Sequence, residues 1–367
     1  MSEQNIPLEA YVEVDKNMIV NTKIDVTDFR FYDVRYAPFE LYNFYDPQNQ
    51  PIFRRLPEDV AAATSAGVAI LSRKTSGGRV RFSTDSEYIM IKTKQYSFGR
   101  AVHLPFVAGA GFDLYEDTDA DSRFVRAFLP PADMTDGYDQ IIHLGSRKMR
   151  HFTIHFPIHS GVKDLYVGIQ EDAVLGEGKK YLNKKPIVIY GSSIVHGTGA
   201  TRPGLNYPNL LCRRLNRNVV NLGFSGKAKG EEAIVNYMAG LDMEVFVCDY
   251  DHNAPNPEHL ELTHRPIYEA IRAKHPDLPY IMVSRPNPAT NINALPQIYQ
   301  RRDIILDTFR YARSLGDRHV YYIDGESFFQ GRYENDCTVD GVHPNDMGYN
   351  LMADGIEAAI RQALREA

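Results

Sequence analysis

Apolar and polar residues alternate with period two in several short segments of the first half of the chain. Val80 and Phe82 share one face of a predicted strand, and Arg81 and Ser83 share the other. A short helix is predicted over residues 57–66. The same alternation continues through residues 88–94 and 165–169. Short strands separated by glycine-containing turns predict an all-β sandwich of the jelly-roll type.

Three histidines at a spacing of four lie in one of these segments: His151, His155 and His159. Such a group invites interpretation as a metal site. However, the alternation places the phenylalanines and isoleucines between them on the opposite face of the strand. A solvated histidine face accounts for this pattern better than zinc ligation does, and we predict no metal.

The pattern changes after residue 186 to strands that alternate with helices. The predicted strands are Ile187–Tyr190, Val219–Leu222, Val245–Cys248, Tyr280–Val283 and Val320–Ile323. The predicted helices lie near residues 207–215, 230–240, 257–274, 296–315 and 346–364. This alternation predicts an α/β domain with a parallel sheet covered on both faces. Because the polar segment 176–185 separates the two patterns, we predict a β-sandwich domain over residues 1–180 and an α/β domain over residues 181–367.

The composition is that of an ordinary globular protein. Of 367 residues, 43% are hydrophobic and 24% are charged, and this length favours two domains. A net charge of −6 without a basic stripe argues against nucleic acid or a membrane as a partner. Three cysteines without ligand spacing indicate no disulfide framework. No signal peptide is visible, so we expect a cytoplasmic protein, with export open if a leader has been removed.

Residues 186–197 carry the strongest chemical signal. Four apolar residues of a predicted buried strand run into Gly191, Ser192 and Ser193. In open α/β sheets, ligands bind at the carboxyl edge of the strands. A serine at a tight strand exit is placed as a nucleophile should be, although serines in turns also serve simply to bond backbone groups.

A short segment near the C-terminus supplies the partners that a serine nucleophile needs. Asp340 and His343 are three residues apart in the sequence Asp-Gly-Val-His-Pro. An imidazole takes the serine proton, and a carboxylate fixes the tautomer and orientation of the imidazole. Asn345 and Asp346 predict the start of the following helix, which would hold the loop. Ser225 also follows a predicted strand and is an alternative nucleophile by pattern alone.

These segments resemble the sequence blocks of the SGNH (GDSL-type) hydrolases. Gly-Ser-Ser at 191–193 stands where the family carries Gly-Asp-Ser, with a serine in place of the usual aspartate. Residues 340–343 match the final Asp-x-x-His block. Residues 221–226 look like the glycine block, and residues 249–253 look like the asparagine block. In the first half, Gly-Phe-Asp-Leu-Tyr at 111–115 resembles the signature of the β-sandwich that precedes some members.

The resemblance implies a flavodoxin-like, three-layer domain and a role for each block. Ser193 is the implied nucleophile, His343 the general acid/base and Asp340 the orienting carboxylate. The implied oxyanion donors are the backbone N–H groups of Ser193 and Gly223 and the side-chain amide of Asn253. Further candidates for substrate contact, with packing or solvation as the alternative, are His196, Tyr250, Arg202 and Arg285.

These features predict a serine esterase that hydrolyses an acyl ester through an acyl-enzyme and requires no cofactor. The resemblance implies acylated carbohydrates, lipids or natural products as substrates. The absence of a long apolar lid segment favours a small polar substrate, and deacetylation of a carbohydrate is the first hypothesis. Two alternatives remain open: an acyltransferase with the same triad, and a carbohydrate-binding protein with an inactive hydrolase domain. The N-terminal domain is expected to add specificity or stability and not chemistry.

Overall fold

The first half of the chain folds into two antiparallel sheets. A computed structural model describes residues 20, 23–99, 102–286, 295–331 and 333–366. The strands of this half are β1 (Phe29–Asp33), β2 (Glu40–Tyr42), β3 (Arg79–Thr84), β4 (Tyr88–Phe98), β5 (Phe112–Asp117), β6 (Ser122–Phe128), β7 (Gly137–His143), β8 (Arg150–His155), β9 (Ser160–Gln170) and β10 (Leu175–Glu177). One sheet has the order β1-β9-β4-β7, and the other has the order β10-β3-β8-β5-β6 with β2 beside β3.

Inward-facing apolar side chains of both sheets form the core of the sandwich. Val80 and Phe82 of β3 are fully buried together with Ile89 and Ile91 of β4. The predicted β-sandwich is therefore confirmed. Three short helices accompany it: α1 (Glu58–Thr64), α2 (Ala66–Leu71) and α3 (Phe106–Ala110). The helix predicted over 57–66 is divided at Ser65, where the backbone is extended. The side-chain oxygen of Ser65 caps α2 by accepting the N–H of Val68 at 3.2 Å.

The second half forms one parallel sheet with helices on both faces. Its strands are β11 (Ile187–Gly191), β12 (Val219–Gly223), β13 (Val245–Asp249), β14 (Tyr280–Val283) and β15 (Val320–Ile323). Its α-helices are α4 (Ser193–His196), α5 (Tyr207–Leu215), α6 (Glu232–Ala239), α7 (Pro257–Lys274), α8 (Leu295–Ser314) and α9 (Asp346–Glu366). The strand order β12-β11-β13-β14-β15 is the flavodoxin-like order, as predicted. None of the described helices is long and apolar enough to cross a membrane.

Alternation along these strands divides the α/β core between the two faces of the sheet. Val188 and Tyr190 of β11 pack in one cluster, and Ile187 and Ile189 pack in the other. The first cluster also contains Leu56, Ala61 and Val68 of the N-terminal half. The two halves of the chain therefore share a hydrophobic core, and α1 and α2 cover part of the parallel sheet.

The outer face of the β10-β3-β8-β5-β6 sheet lies against the α/β domain. All six residues of β3 are buried, including Arg79 and Arg81. His155 of β8 is also fully buried. The prediction of a solvated histidine face is therefore wrong, because the second domain covers this face. Among the described residues, no group of three or more histidine, cysteine, aspartate or glutamate side chains could hold a metal ion.

The 111–115 segment joins the two domains at this face. Asp113, fully buried on β5, accepts hydrogen bonds from the Arg202 guanidinium and from the backbone N–H of Gly204, both at 2.8 Å. The Arg202 guanidinium also bonds the Tyr115 hydroxyl at 2.5 Å and lies 3.7 Å from the centre of the Phe124 ring. The aspartate and tyrosine of this signature therefore fasten the sandwich to the loop that precedes α5.

Candidate active site

Ser193, His343 and Asp340 form a continuous hydrogen-bonded chain. Ser193 follows β11 after one intervening residue, Ser192, and the other two residues lie in the loop before α9. The Ser193 Oγ is 2.9 Å from the His343 Nε2, and the His343 Nδ1 is 2.7 Å from the Asp340 Oδ2. Because a carboxylate accepts from Nδ1–H, the Nε2 of the neutral ring is left to accept the serine proton. The chain has the geometry of a serine nucleophile with its base.

Asp340 is held in its ionised form. Partial burial opposes ionisation, but hydrogen bonds from the His343 backbone and side chain and from the Val342 N–H lower the pKa of Asp340 to about 2. Its Oδ1 accepts these two backbone N–H groups at 2.8 and 3.0 Å. The same carboxylate thus closes its own turn and orients the imidazole.

Ser192 stabilises the turn between β11 and α4 that carries Ser193. The Ser192 Oγ accepts the N–H of Ile194 at 3.2 Å and caps α4, while Gly197 ends this short helix at φ +110°. Ser193 is the first residue of α4, and backbone N–H groups in a first helical turn have no acceptor within the helix. The Ser193 N–H is therefore available to a ligand.

The histidine loop is fixed to the nucleophile helix through α9. The Asn345 Oδ1 accepts the N–H of Gly348 at 3.1 Å, so Asn345 caps α9 as predicted. One turn into this helix, the buried Tyr349 hydroxyl bonds the carbonyl oxygens of Ile194 and Thr198 at 3.0 and 2.7 Å. These bonds fix the loop that carries His343 relative to the helix that carries Ser193.

Gly223 does not face the catalytic serine. Its N–H already donates to the Asn221 Oδ1 at 2.9 Å, and its carbonyl accepts from Arg55 at 3.0 Å. A side chain at this position would meet the backbone nitrogen of His196 at 2.2 Å. The assignment of Gly223 as an oxyanion donor is therefore corrected: its N–H is used inside the fold, and the glycine permits close packing of α4 on β12.

Gly226 lies at the pocket instead. It lines a cavity of about 370 Å³ together with Ser193, Asn253 and His343. Asn253 lies in the same wall, and its amide oxygen accepts the Ala228 N–H at 3.3 Å. This bond leaves the amide NH₂ of Asn253 as the group that can donate into the pocket.

Two of the candidate substrate residues are internal. His196 is fully buried, and its Nε2 donates to the Ile158 carbonyl at 3.0 Å. Tyr250 is 1% exposed, and its hydroxyl bonds Thr263. Neither side chain lines the cavity beside Ser193. Their prediction as pocket residues is wrong, because each completes the packing beneath a strand exit.

The two candidate arginines are also outside this cavity. Arg202 makes the interdomain contact with Asp113 described above. Arg285 follows β14, and its backbone N–H donates to Asp251 at 3.0 Å, which supports the short 3₁₀ helix containing Asn253. The structure therefore gives these two residues roles in holding the site and its domain contact, and the substrate prediction is corrected for both.

Replacement of Arg202 tests this assignment. Arg202→Ala leaves the fully buried Asp113 without its hydrogen-bonded cation, so we expect the free energy of unfolding to fall by about 3 kcal/mol. The KM for an ester should stay at the wild-type value. The measurement is urea unfolding together with steady-state kinetics. Arg30→Ala, which removes an exposed ion pair with Glu171, is the control and should change stability by less than about 0.5 kcal/mol. A raised KM with unchanged stability would contradict the structural role.

Several residues that the sequence does not assign to the site lie in it. His159 and Thr198 line the cavity and contact each other at 3.2 Å, and the His159 ring stacks on His196 at 4.2 Å between centroids. Burial, followed by nearby cations, lowers the pKa of His159 to about 4, so the ring is neutral at physiological pH. His103 lies over the triad, with its Nε2 3.6 Å from Asp340. His103 and His159 belong to the sandwich domain, so both domains line the site.

His252 is a further pocket residue without a sequence signal. It lines the cavity, and its Nε2 is buried with no hydrogen-bond partner among the residues that the structure describes. Burial, and then the positive charge of Arg285, holds the pKa of His252 well below its usual range. The ring is therefore neutral, and its buried Nε2 has no partner among the described residues in the wall of the cavity that Ser193 also lines.

Family models match both halves of the chain. Residues 184–361 match the GDSL-like Lipase/Acylhydrolase family, and residues 29–175 match the GxDLY model, the N-terminus of Esterase_SGNH_hydro-type. Residues 184–361 form a domain of the GDSL-like lipase/acylhydrolase family. The chain is an esterase of the two-domain kind, in which the sandwich precedes the hydrolase domain. No curated protein matches this esterase in sequence.

Solved structures share the whole architecture of this esterase. A protein named as a GDSL-like lipase from Bacteroides ovatus is 25% identical, with a TM-score of 0.83 over 92% of this chain and 98% of that one. The salicylyl-acyltransferase SsfX3 from a tetracycline biosynthetic pathway is 18% identical over the same shares, with a TM-score of 0.73. A family two carbohydrate esterase from Cellvibrio japonicus is 10% identical, again over 92% and 98%, with a TM-score of 0.61. The last two similarities show a shared fold.

Proposed function

We propose that this esterase removes a small acyl group from a polar, carbohydrate-like alcohol through an acyl-enzyme on Ser193. The observation that carries the proposal is the hydrogen-bonded chain from Ser193 through His343 to Asp340, at 2.9 and 2.7 Å. Ser193 would attack the acyl carbon while His343 takes its proton. His343 would then return this proton to the departing alcohol. Water would resolve the acyl-enzyme by the same route, releasing the acid and restoring the serine.

The proposed oxyanion hole consists of three donors: the backbone N–H groups of Ser193 and Gly226 and the side-chain NH₂ of Asn253. Gly226 takes the place predicted for Gly223, because it lines the pocket and Gly223 does not. Donors fixed in advance stabilise the charge that develops on the carbonyl oxygen.

Removal of the Asn253 amide should lower turnover with little effect on binding. We expect Asn253→Ala to reduce kcat by about 10²–10³ while KM changes little, because the amide is needed mainly in the transition state. Steady-state kinetics on a soluble acetyl ester measures both. Asn236→Ala, at an exposed position of α6, is the matched control and should leave kcat at the wild-type value. An equal loss in both variants, or a pure KM effect, would contradict this role.

Most of the exposed pocket wall is apolar, but the hydrogen-bonding groups at the ends of its side chains support a polar substrate. Its side chains end mainly in hydroxyl, imidazole and amide groups: Thr198, Ser225, His159, His252 and Asn253. These groups can form hydrogen bonds with a sugar, whereas an alkyl chain would leave them without partners. The structural neighbour from Cellvibrio japonicus is named a carbohydrate esterase, which agrees with this class of substrate.

A substrate panel tests the proposal and its alternative. Acetylated xylo-oligosaccharides and 4-nitrophenyl esters of two, four and eight carbons would be compared by kcat/KM. We expect the acetyl esters to be preferred and the eight-carbon ester to be the poorest; the reverse order would overturn the polar-substrate assignment. Because SsfX3 is named an acyltransferase, the products are also assayed with added sugar alcohols. Free acetate as the main product supports hydrolysis, and a predominant new ester would establish acyl transfer instead.

A further inference from the structure

A second cavity lies between the two domains, on the face of the sandwich sheet that the α/β domain covers. Its volume is about 270 Å³. β3 and β8 of the sandwich form one wall, and the C-terminal part of α5 forms the opposite wall. None of the residues of the catalytic triad lines it. The proposed esterase activity therefore leaves this cavity unexplained.

The walls of this cavity are rich in cations, although the chain as a whole carries a net charge of −6. The cationic side chains are Arg79, Arg81, Lys179, Arg213, Arg214 and Arg361. The acidic side chains are Asp117, Asp119 and Asp121. A local excess of positive charge in an acidic protein is better explained by an anionic ligand than by solvation of the surface.

The carboxylates of the cavity are already engaged. Asp117 accepts from Arg81 at 3.0 Å, and also from Ser122 and Thr153 at 2.7 and 2.6 Å. Asp119 pairs with Lys179. Asp121 pairs with Arg123, outside the cavity. None of the three is left to neutralise a further cation.

Two arginines of this cavity have no carboxylate at salt-bridge distance, although the charge of the buried Asp113 carboxylate acts on Arg213 from farther away. Among the residues that the structure describes, no carboxylate oxygen lies within 4.0 Å of Arg79 or Arg213, whereas Arg214 and Arg361 both pair with carboxylates on α9. Arg79 is fully buried and donates only to neutral oxygens. Arg213 uses its Nη1 for the Gly204 carbonyl at 2.6 Å. Buried or half-buried positive charge without a counterion is costly, and a bound anion would offset this cost.

Buried polar atoms of the same walls lack partners. The Arg81 Nη1 and both ring nitrogens of His155 make no hydrogen bond to the described residues. Arg81 is 3% exposed and His155 is fully buried. Burial, and then the neighbouring arginines, holds the pKa of His155 well below its usual range, so the ring offers one N–H donor and one acceptor. Unmade hydrogen bonds at such depth indicate a ligand or ordered water in the cavity.

We propose that this interdomain cavity binds a small tetrahedral oxyanion, phosphate or sulfate, either free or carried on a sugar. Guanidinium groups of Arg81 and Arg213 match the paired oxygens of such an anion. Asp119 and Asp121 repel a long polyanion but can accept bonds from sugar hydroxyls. Since both domains build the cavity, the bound anion stabilises their contact.

Calorimetric titration of the full chain tests the proposal. Inorganic phosphate, sulfate and glucose 6-phosphate would be titrated at constant ionic strength, with chloride and glucose as blanks. We expect one saturable site per chain and a rise in Tm with each anion that binds. Tighter binding of glucose 6-phosphate than of phosphate would show that the ligand is an anion carried on a sugar. Equal or weaker binding of glucose 6-phosphate would show that the ligand is the free ion.

Variants decide whether the binding occurs in this cavity. Arg213→Gln should weaken anion binding about tenfold or more, as expected when a charge-assisted hydrogen bond is lost. Lys179→Gln, at a partly exposed position of the wall, should also weaken it. Arg310→Gln, an exposed residue outside the cavity, should bind like the wild type.

Ester hydrolysis provides an independent readout. Arg213→Gln should keep wild-type turnover, and Ser193→Ala should keep wild-type anion binding, so failure of one proposal is distinguishable from failure of the other. The absence of saturable binding by all three anions would overturn the anion site. Equal affinity of wild type, Arg213→Gln and Lys179→Gln would overturn it as well.

Discussion

Ser193→Ala should lose nearly all ester turnover while keeping the wild-type fold. The Oγ of Ser193 is the atom that His343 contacts at 2.9 Å, and removal of this oxygen leaves no nucleophile in the hydrogen-bonded chain. By comparison with serine hydrolases in which the nucleophile has been removed, kcat should fall by roughly six orders of magnitude. Turnover of a soluble acetyl ester, with circular dichroism to verify folding, measures the effect.

Ser225→Ala is the matched control for this prediction. Ser225 lines the same cavity, and its hydroxyl lies 3.5 Å from the Thr198 hydroxyl and bonds no imidazole of the described residues. We expect this variant to keep kcat within about tenfold of the wild type, the range of a lost pocket hydrogen bond. Loss of turnover in Ser225→Ala with retention in Ser193→Ala would transfer the nucleophile to Ser225.

His343 and Asp340 should differ in how much activity their removal costs. His343 moves the proton, so His343→Ala should remove nearly all triad-dependent turnover. Asp340 orients the ring and stays ionised because its pKa is about 2, so Asp340→Asn should leave about two orders of magnitude more kcat than His343→Ala. Purified variants with matched circular dichroism would be assayed on the same ester.

The exposed Asp307→Asn of α8 is the control for the Asp340 substitution and should behave as the wild type. The following helix keeps its cap from Asn345 in both triad variants, so their folds should persist. Wild-type turnover in His343→Ala would mean that the base lies elsewhere. A larger loss in Asp340→Asn than in His343→Ala would contradict the unequal roles.

The parallel sheet was predictable because four of its five strands are almost wholly buried and all five are mainly apolar. Such strands are continuous apolar runs, and β14 and β15 begin and end at the predicted residues, Tyr280–Val283 and Val320–Ile323. The chain order of strands and helices then determines which loops meet at the carboxyl edge. The closeness of Ser193 and His343, 150 residues apart, follows from this order.

The wrong predictions concern residues of one domain that the other domain covers. Alternation identifies side chains that share a face, but it does not identify what lies against that face. Arg81 and His155 share a face of the sandwich sheet that the α/β domain buries, so the solvated interpretation was wrong. The prediction of Arg202 as a substrate residue fails for the same reason, since its partner Asp113 lies in the other domain.

The glycine block shows a limit of prediction from local sequence. Gly223 ends β12 and Gly226 follows it by three residues, and their local sequences do not say which N–H is free. The side chain of Asn221 decides it by accepting the Gly223 N–H at 2.9 Å. Histidines of the sandwich were missed similarly, because His103 and His159 reach the site only through the docking of the two domains.

Docking of the two domains also changes the expected role of the sandwich. The sequence predicted that this domain adds specificity or stability and not chemistry. His103 lies 3.6 Å from the carboxylate of Asp340, and Arg55 bonds the carbonyls of Asn221 and Gly223 at 2.8 and 3.0 Å. The sandwich therefore supports the catalytic loops directly, and its separation from the hydrolase domain would remove these contacts.

Mass spectrometry after treatment with a serine-directed phosphonate tests the central claim most directly. The reagent forms a covalent adduct only on a serine that a neighbouring base activates. We predict one adduct per chain, located on Ser193, absent from Ser193→Ala and unchanged in Ser225→Ala. An adduct on Ser225, or an unlabelled wild-type protein, would contradict the proposal that Ser193 is the nucleophile of this esterase.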